Sequence, residues 1–351
     1  MSSRRIRVVV VDDSTFMRAV IARLLRRDGR FEVVGEARNG RDAVDAAGRL
    51  RPDVMTMDVN MPVLDGVGAV RMIMQSHPLP VVMLSAHTTE GARATLEALS
   101  AGAVDFVSKP SGEVSTDLTL VERELADKLA LASTARPARA LPGGSSSPQP
   151  APQPRRQPAA VTWSPEGPRV VIIAVSTGGP AALARVVPAL PEDLDCCVLV
   201  VQHMPPQFTT ALAARLDQDS RLKVREAADG DRLHQGTVMV APGGVHLTVD
   251  RAFILHTSDG APVNGCKPSA DVTMQSAASA LGYRVTGVVM TGMGRDGAEG
   301  LLAIKRAGGR TVAQDEASSV IFGMPRAAVE LGAVDRVVAL DAIAATLQMR
   351  W

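Results

Sequence analysis

Short apolar runs alternate with amphipathic stretches along most of this chain, and that alternation predicts its fold class. Ile6 to Val11, Phe31 to Ala37, Asp53 to Met57, Pro80 to Leu84 and Val104 to Val107 read as strands, with helical periodicity between them. Strands that alternate with helices predict a parallel sheet covered on both faces, and such strands are apolar throughout because neither face meets water. A second series starts at Arg169, with runs at Val170 to Val175, Cys196 to Val201, Thr237 to Ala241, Val285 to Met290 and Thr311 to Ala313. Between the two series, residues 133–168 turn to Ala, Pro, Gly, Ser, Gln and Arg, including Gly143 to Ser147 and prolines at 148, 150, 152 and 154. Such a segment lacks the apolar content to offset its ordering entropy, so a flexible linker is expected. The pattern predicts an α/β protein of two doubly wound parallel-sheet domains, 4–132 and 169–348, joined by that linker. In each domain a ligand site should lie at the C-terminal edge of the strands.

Composition narrows the function. The 351 residues carry 38 lysines and arginines against 37 aspartates and glutamates, spread rather than blocked, which argues against a nucleic-acid partner. The first apolar run is short and ends in Asp12 and Asp13, unlike a signal peptide, and no run reaches the ~20 residues of a membrane span. A cytoplasmic protein with no membrane insertion is expected. The cysteines are Cys196, Cys197 and Cys266, two of them adjacent inside an apolar run, so core thiols are expected rather than disulfides or a zinc knuckle.

Strand ends of the first domain deliver Asp12 and Asp13, then Asp58, Ser85 and Lys109, each directly after an apolar run. Any one of these aspartates could equally be a helix cap. Together they form a carboxylate cluster suited to a hard cation, best fitted by Mg²⁺, with Asp58 as phosphoryl acceptor, Lys109 to pair with the phosphate and Ser85 to sense it.

In the second domain Ser176 follows the run VVIIAV and precedes Thr177, Gly178, Gly179 and Pro180. This turn alone serves a helix cap, a phosphate cradle or a nucleophile. His203 follows CCVLVV through Gln202, and Asp296 follows TGVVM through TGMGR, so all three emerge at C-terminal strand ends of one sheet. That placement supplies a hydroxyl, a base and an acid to orient the base, while the glycine-rich turn near Met293 exposes amides of the kind an oxyanion needs. The chain order Ser, His, Asp differs from that of the α/β-hydrolases. The histidines at 77, 87, 234, 246 and 256 lack such a setting and read as surface or structural.

VVDDS, TMDVNMPVLDG, VVMLSA and DFVSKP, in this order, resemble a response-regulator receiver domain, a flavodoxin-like fold. The resemblance implies Mg²⁺ bound by Asp13, Asp58 and the carbonyl of Asn60, with Asp12 assisting. It also implies Ser85 and Lys109 on the phosphate, Phe106 as the aromatic switch and a cis bond before Pro110. AVSTGGP, VVQHMP, VAPGG, KPSADV, VVMTGMGRDGAEGLLAIKRAGG and AQDEASSVIFGMP are similar to the chemotaxis protein-glutamate methylesterase domain, a Rossmann-like fold, over nearly all of 169–348. By position this implies Ser176 as nucleophile, His203 as general base, Asp296 as its orienter and the Met293 amide as oxyanion donor, with no cofactor for the esterase. The joined resemblance implies a phosphorylation-activated enzyme of sensory adaptation. Its partners would be methyl-accepting chemotaxis receptors, whose glutamate γ-methyl esters it hydrolyses and some of whose glutamines it deamidates, and a sensor histidine kinase as phosphoryl donor; a monomer is expected. A transcriptional regulator or a non-catalytic scaffold fits less well, since the output domain carries glycine-turned strands and the full set of three residues.

Overall fold

A computed structural model describes residues 4–86, 88–109, 115–135 and 168–349. The chain divides into two compact units, Met1–Pro142 and Gly143–Trp351. The first runs β1 (Ile6–Val11), α1 (Thr15–Asp28), β2 (Phe31–Ala37), α2 (Gly40–Leu50), β3 (Val54–Asp58), α3 (Gly66–Ser76), β4 (Val81–Ser85), α4 (Thr89–Ser100), β5 (Asp105–Ser108) and α5 (Ser115–Ala132). Its five strands are all parallel in the order β2-β1-β3-β4-β5. The strand order reverses between β1 and β3, the switch point where doubly wound sheets open a crevice, with Asp12 directly after β1 and Asp58 closing β3. Helices begin where side chains can take up free amides: Ser14 caps α1, Asn39 α2, Asp65 α3 and Thr88 α4. Gly66 opens α3 packed directly on the Asp58 carbonyl, where any Cβ would collide with it.

The second unit runs β6 (Arg169–Val175), α6 (Gly179–Val186), β7 (Cys196–Gln202), α7 (Pro206–Asp219), β8 (Lys223–Glu226), β9 (Thr237–Val240), β10 (His246–Val249), β11 (Leu255–Ser258), α8 (Ala270–Leu281), β12 (Val285–Val289), α9 (Ala298–Arg306), β13 (Arg310–Gln314), α10 (Met324–Glu330), β14 (Arg336–Val338) and α11 (Leu340–Gln348). Seven of the strands form a parallel sheet, β14-β13-β12-β6-β7-β9-β8, and β10 and β11 pair separately as an antiparallel hairpin. The order diverges on either side of β6, so the loops after β6, β7 and β12 share one edge. Val170 to Val175 and all of β7 are fully sequestered, and each such aliphatic side chain contributes about 1.5–3 kcal/mol by leaving water.

The expected strands are all present, several with bounds moved by one residue, so that Asp58 and Ser85 close β3 and β4 rather than following them. Strands β8 and β14 and the β10–β11 hairpin were not foreseen. β8 (KVRE) and β14 (RVV) are edge strands with charged, exposed positions, and an edge strand needs no continuous apolar run. Of the expected linker, only residues 133–135, which close α5 with turn hydrogen bonds, and Pro168 are described; its remainder, His87 and Pro110 lie outside the described residues.

Candidate functional site

In the first unit the switch point gathers the expected carboxylates. Asp12, Asp13 and Asp58 each place an oxygen within 4.8 Å of the others. Lys109 Nζ lies 2.7 Å from Asp12 Oδ2 and 2.8 Å from Asp58 Oδ1. Burial pushes the Asp58 carboxyl up, against the opposing pull of Lys109, while Asp12 and Asp58 together raise the Lys109 ammonium despite its burial. Three close carboxylates with one ammonium between two of them form an oxygen donor set that suits a hard divalent ion. Asn60 stands exposed two residues beyond Asp58. The other two expected residues are engaged elsewhere: the Ser85 hydroxyl accepts from Thr95 Oγ1 at 2.7 Å and donates to the Gly91 carbonyl at 3.2 Å. Phe106 is buried, with Lys128 Nζ 5.2 Å from its ring centroid and donating to its carbonyl at 2.7 Å.

In the second unit Ser176 leaves β6 in a loop tied to both neighbours. Its N–H donates to the Thr291 carbonyl at 3.0 Å, and its carbonyl accepts from Gly179 N–H at 2.8 Å and from Gln202 Nε2 at 3.1 Å. Gly178, in the left-handed region at φ 77°, is the N-cap of α6, so Ser176 does not cap that helix. Across from it Gly292 would bring a Cβ to 2.8 Å from that of Ser176, so only glycine allows the two loops to approach this closely. Exposed Met293 follows in the loop, which is held by Gly292 N–H to Ile321 and by Met324 N–H to the Gly292 carbonyl. Among the described residues the Met293 N–H makes no hydrogen bond.

His203 Nε2 lies 2.8 Å from Asp296 Oδ2. With that nitrogen donating to the carboxylate, Nδ1 carries the lone pair whenever the ring is neutral, and the Cys266 thiol faces it at 3.5 Å. No hydrogen bond joins Ser176 Oγ to the imidazole among the described residues, so the fold closes the imidazole–carboxylate half of the expected constellation and sets the serine at the adjoining strand end. Asp296 is almost fully buried and well supplied with donors: Ser269 Oγ at 2.6 Å, Ala270 N–H at 2.6 Å, Asp271 N–H at 3.3 Å and Asn264 Nδ2 at 3.2 Å. It sits on the N-terminus of α8, where free amides favour negative charge. Burial opposes its ionisation, but the His203 hydrogen bond and charge, then Ser269 and Ala270, hold the carboxyl below its usual range. Burial likewise opposes charge on His203, yet Asp296 first and Cys266 second raise it to about 9. Neighbouring Asp271 moves the other way, raised by burial, and fastens α9 by accepting from Gly297 and Gly300 N–H.

Asn264, Ser269 and Gln202 were not singled out from sequence, although the Asn264-Gly265 pair is a turn signal and Ser269 a helix-cap signal. Cys266 corrects an expectation. Cys196 and Cys197 are core thiols, Cys196 pushed up to about 12 by burial, whereas Cys266 is half-buried on a loop beside His203. His246 is structural, its ring held between Ser269 N–H and the Ala261 carbonyl.

Comparison with known proteins agrees with both halves. Residues 8–118 match the response regulator receiver domain family and residues 171–347 the CheB methylesterase family. A protein-glutamate methylesterase/protein-glutamine glutaminase of Symbiobacterium thermophilum is 47% identical over 97% of this chain and 96% of its own length. One from Geobacillus kaustophilus is 46% identical over 98% of each. The crystal structure of the Thermotoga maritima CheB methylesterase catalytic domain superposes with a TM-score of 0.51 at 38% identity, covering 52% of this chain and 97% of that one. With its receiver domain preceding the esterase fold along nearly the full length of these relatives, the chain belongs to the protein-glutamate methylesterase/protein-glutamine glutaminase family.

Proposed function

We propose that this protein is a phosphorylation-activated hydrolase that demethylates glutamate γ-methyl esters on methyl-accepting chemotaxis receptors and deamidates specific receptor glutamines. The observation that carries this reading is the pairing of His203 with buried Asp296 at the strand edge that also presents Ser176. In this scheme residues 4–132 form the receiver, 133–168 the linker and 169–348 the catalytic domain.

Ser176 Oγ attacks the ester carbonyl as His203 Nδ1 takes its proton, while Asp296 holds the Nε2–H and stabilises the imidazolium. The Met293 N–H donates to the tetrahedral oxyanion. The C–O bond to methanol breaks with His203 returning the proton, and water then hydrolyses the glutamyl-enzyme by the same steps. A glutamine substrate expels ammonia instead.

In the receiver, Asp13, Asp58 and the Asn60 carbonyl, with Asp12 assisting, would hold Mg²⁺, which when bound neutralises oxygens of the transferring phosphoryl group. Asp58 accepts the phosphoryl group from a sensor histidine kinase. Lys109, already on the Asp58 carboxylate, turns to the phosphate, and Ser85 exchanges its bonds to Gly91 and Thr95 for a phosphate oxygen as Phe106 moves. That rearrangement relieves inhibition of the esterase.

The deciding experiment is methanol release from methylated receptor membranes with and without acetyl phosphate. Wild-type protein should release methanol faster with the phosphodonor, and Ser176→Ala, folded by circular dichroism, should release none. Retained turnover in that variant would remove Ser176 as nucleophile.

A further inference from the structure

Nothing in the proposed chemistry uses Cys266, yet its thiol faces the ring nitrogen that the reaction needs, from 63 residues away in the chain. The loop that presents it is built, not loose. Val263 and Cys266 exchange both backbone hydrogen bonds, at 3.1 and 2.9 Å, around Asn264 (φ 53°) and Gly265 (φ 75°). Two central residues with positive φ and the sequence Asn-Gly define a tight turn of the hairpin type. Asn264 is further tied to Asp271 at 2.8 Å and to Asp296 at 3.2 Å, so the turn is anchored to the same carboxylate that orients His203.

We propose that Cys266 Sγ and His203 Nδ1 form an inhibitory site for a thiophilic divalent cation, zinc in the first instance. The sulfur-to-nitrogen separation is 3.5 Å; a tetrahedral zinc ion with Zn–S near 2.3 Å and Zn–N near 2.05 Å sets the two donors about 3.6 Å apart. His203 also has the partner that metal-bound imidazoles usually have, a carboxylate on the opposite ring nitrogen, here Asp296 at 2.8 Å. The cation replaces the proton shared in the thiol–imidazole hydrogen bond; that proton passes to solvent, and water completes the coordination. A thiolate–imidazole pair suits such ions and holds Mg²⁺ poorly, whereas the all-oxygen receiver cluster suits a hard ion such as Mg²⁺ and offers no sulfur to give a thiolate band. Occupation removes the Nδ1 lone pair, and inhibition therefore rests on the assignment of His203 as general base.

Cobalt(II) bound to the metal-stripped full chain tests the site apart from the activity. We expect a thiolate-to-cobalt charge-transfer band in wild type and in Ser176→Ala, displaced by zinc and lost in Cys266→Ala and Cys266→Ser. In parallel, zinc should inhibit methanol release from a soluble methylated receptor fragment and EDTA should restore it. Half-inhibition should need at least tenfold more zinc in either Cys266 variant. Absence of the band, equal zinc sensitivity in the variants, unaffected turnover at saturating zinc, or recovery only with a thiol reductant would each overturn the proposal. Loss of turnover in metal-free wild type would instead count against the esterase reading, and the band would still report on the site.

Discussion

Ser269 Oγ lies 2.6 Å from Asp296 Oδ1, so the residue that caps α8 also anchors the carboxylate facing His203. Ser269→Ala should therefore act twice. Loss of the cap costs about 0.5–2 kcal/mol, which for a domain of this size lowers Tm by roughly 2–4 °C per kcal/mol. Loss of a donor to a buried carboxylate should lower kcat about tenfold, or about 1.4 kcal/mol of barrier, with little change in KM. Ser269→Thr, which keeps the hydroxyl, should recover most of both. Thermal melts with methanol-release kinetics separate the two effects.

The imidazole raised to about 9 predicts an alkaline pH profile. A general base acts in its neutral form, so kcat/KM should climb with pH through neutrality with its midpoint near pH 9, not near the ~6.5 of an unperturbed histidine. Asp296→Asn removes the main partner that raises the imidazole, and its residual activity should titrate at lower pH. The linkage has a definite sign. Stability contributed by the pair is fully present below the unfolded value of ~6.5 and is lost as pH rises through the folded value near 9. A wild-type profile with its midpoint near ~6.5 would contradict the raised imidazole.

Lys109 is the ammonium that bridges two carboxylates of the receiver cluster. Lys109→Met leaves Asp12 and Asp58 facing each other in a buried setting, and the variant should lose thermal stability without Mg²⁺ and regain more than wild type when Mg²⁺ is added. A ligand at 100 times its Kd stabilises by about 2.7 kcal/mol. Asp58→Asn should abolish phosphoryl incorporation from a partner kinase. Melts across a Mg²⁺ series and labelling with radioactive phosphate check both.

Removing residues 1–150 should raise basal esterase activity and abolish its response to acetyl phosphate. A tenfold rise corresponds to only about 1.4 kcal/mol of coupling, within the usual range between linked sites. Unchanged or lower activity after truncation would exclude inhibition by the receiver.

Much of the architecture and most of the candidate site were legible in the sequence. A parallel strand covered on both faces must be apolar along its length, so β1, β3, β6, β7 and β12 stand out as runs. The candidate site residues Asp12, Asp58, Ser176, His203 and Asp296 lie at or soon after their C-terminal ends. The edge strands β8 and β14 escaped because solvent exposure relaxes that pattern. What only the tertiary structure decided are the contacts between distant segments: the imidazole oriented by Asp296, 93 residues on, the thiol of Cys266 against its other nitrogen, and Ser85 engaged with α4. Linear order encodes burial and local backbone preference, but which ring nitrogen meets which partner depends on how α8, its preceding turn and the sheet edge pack together.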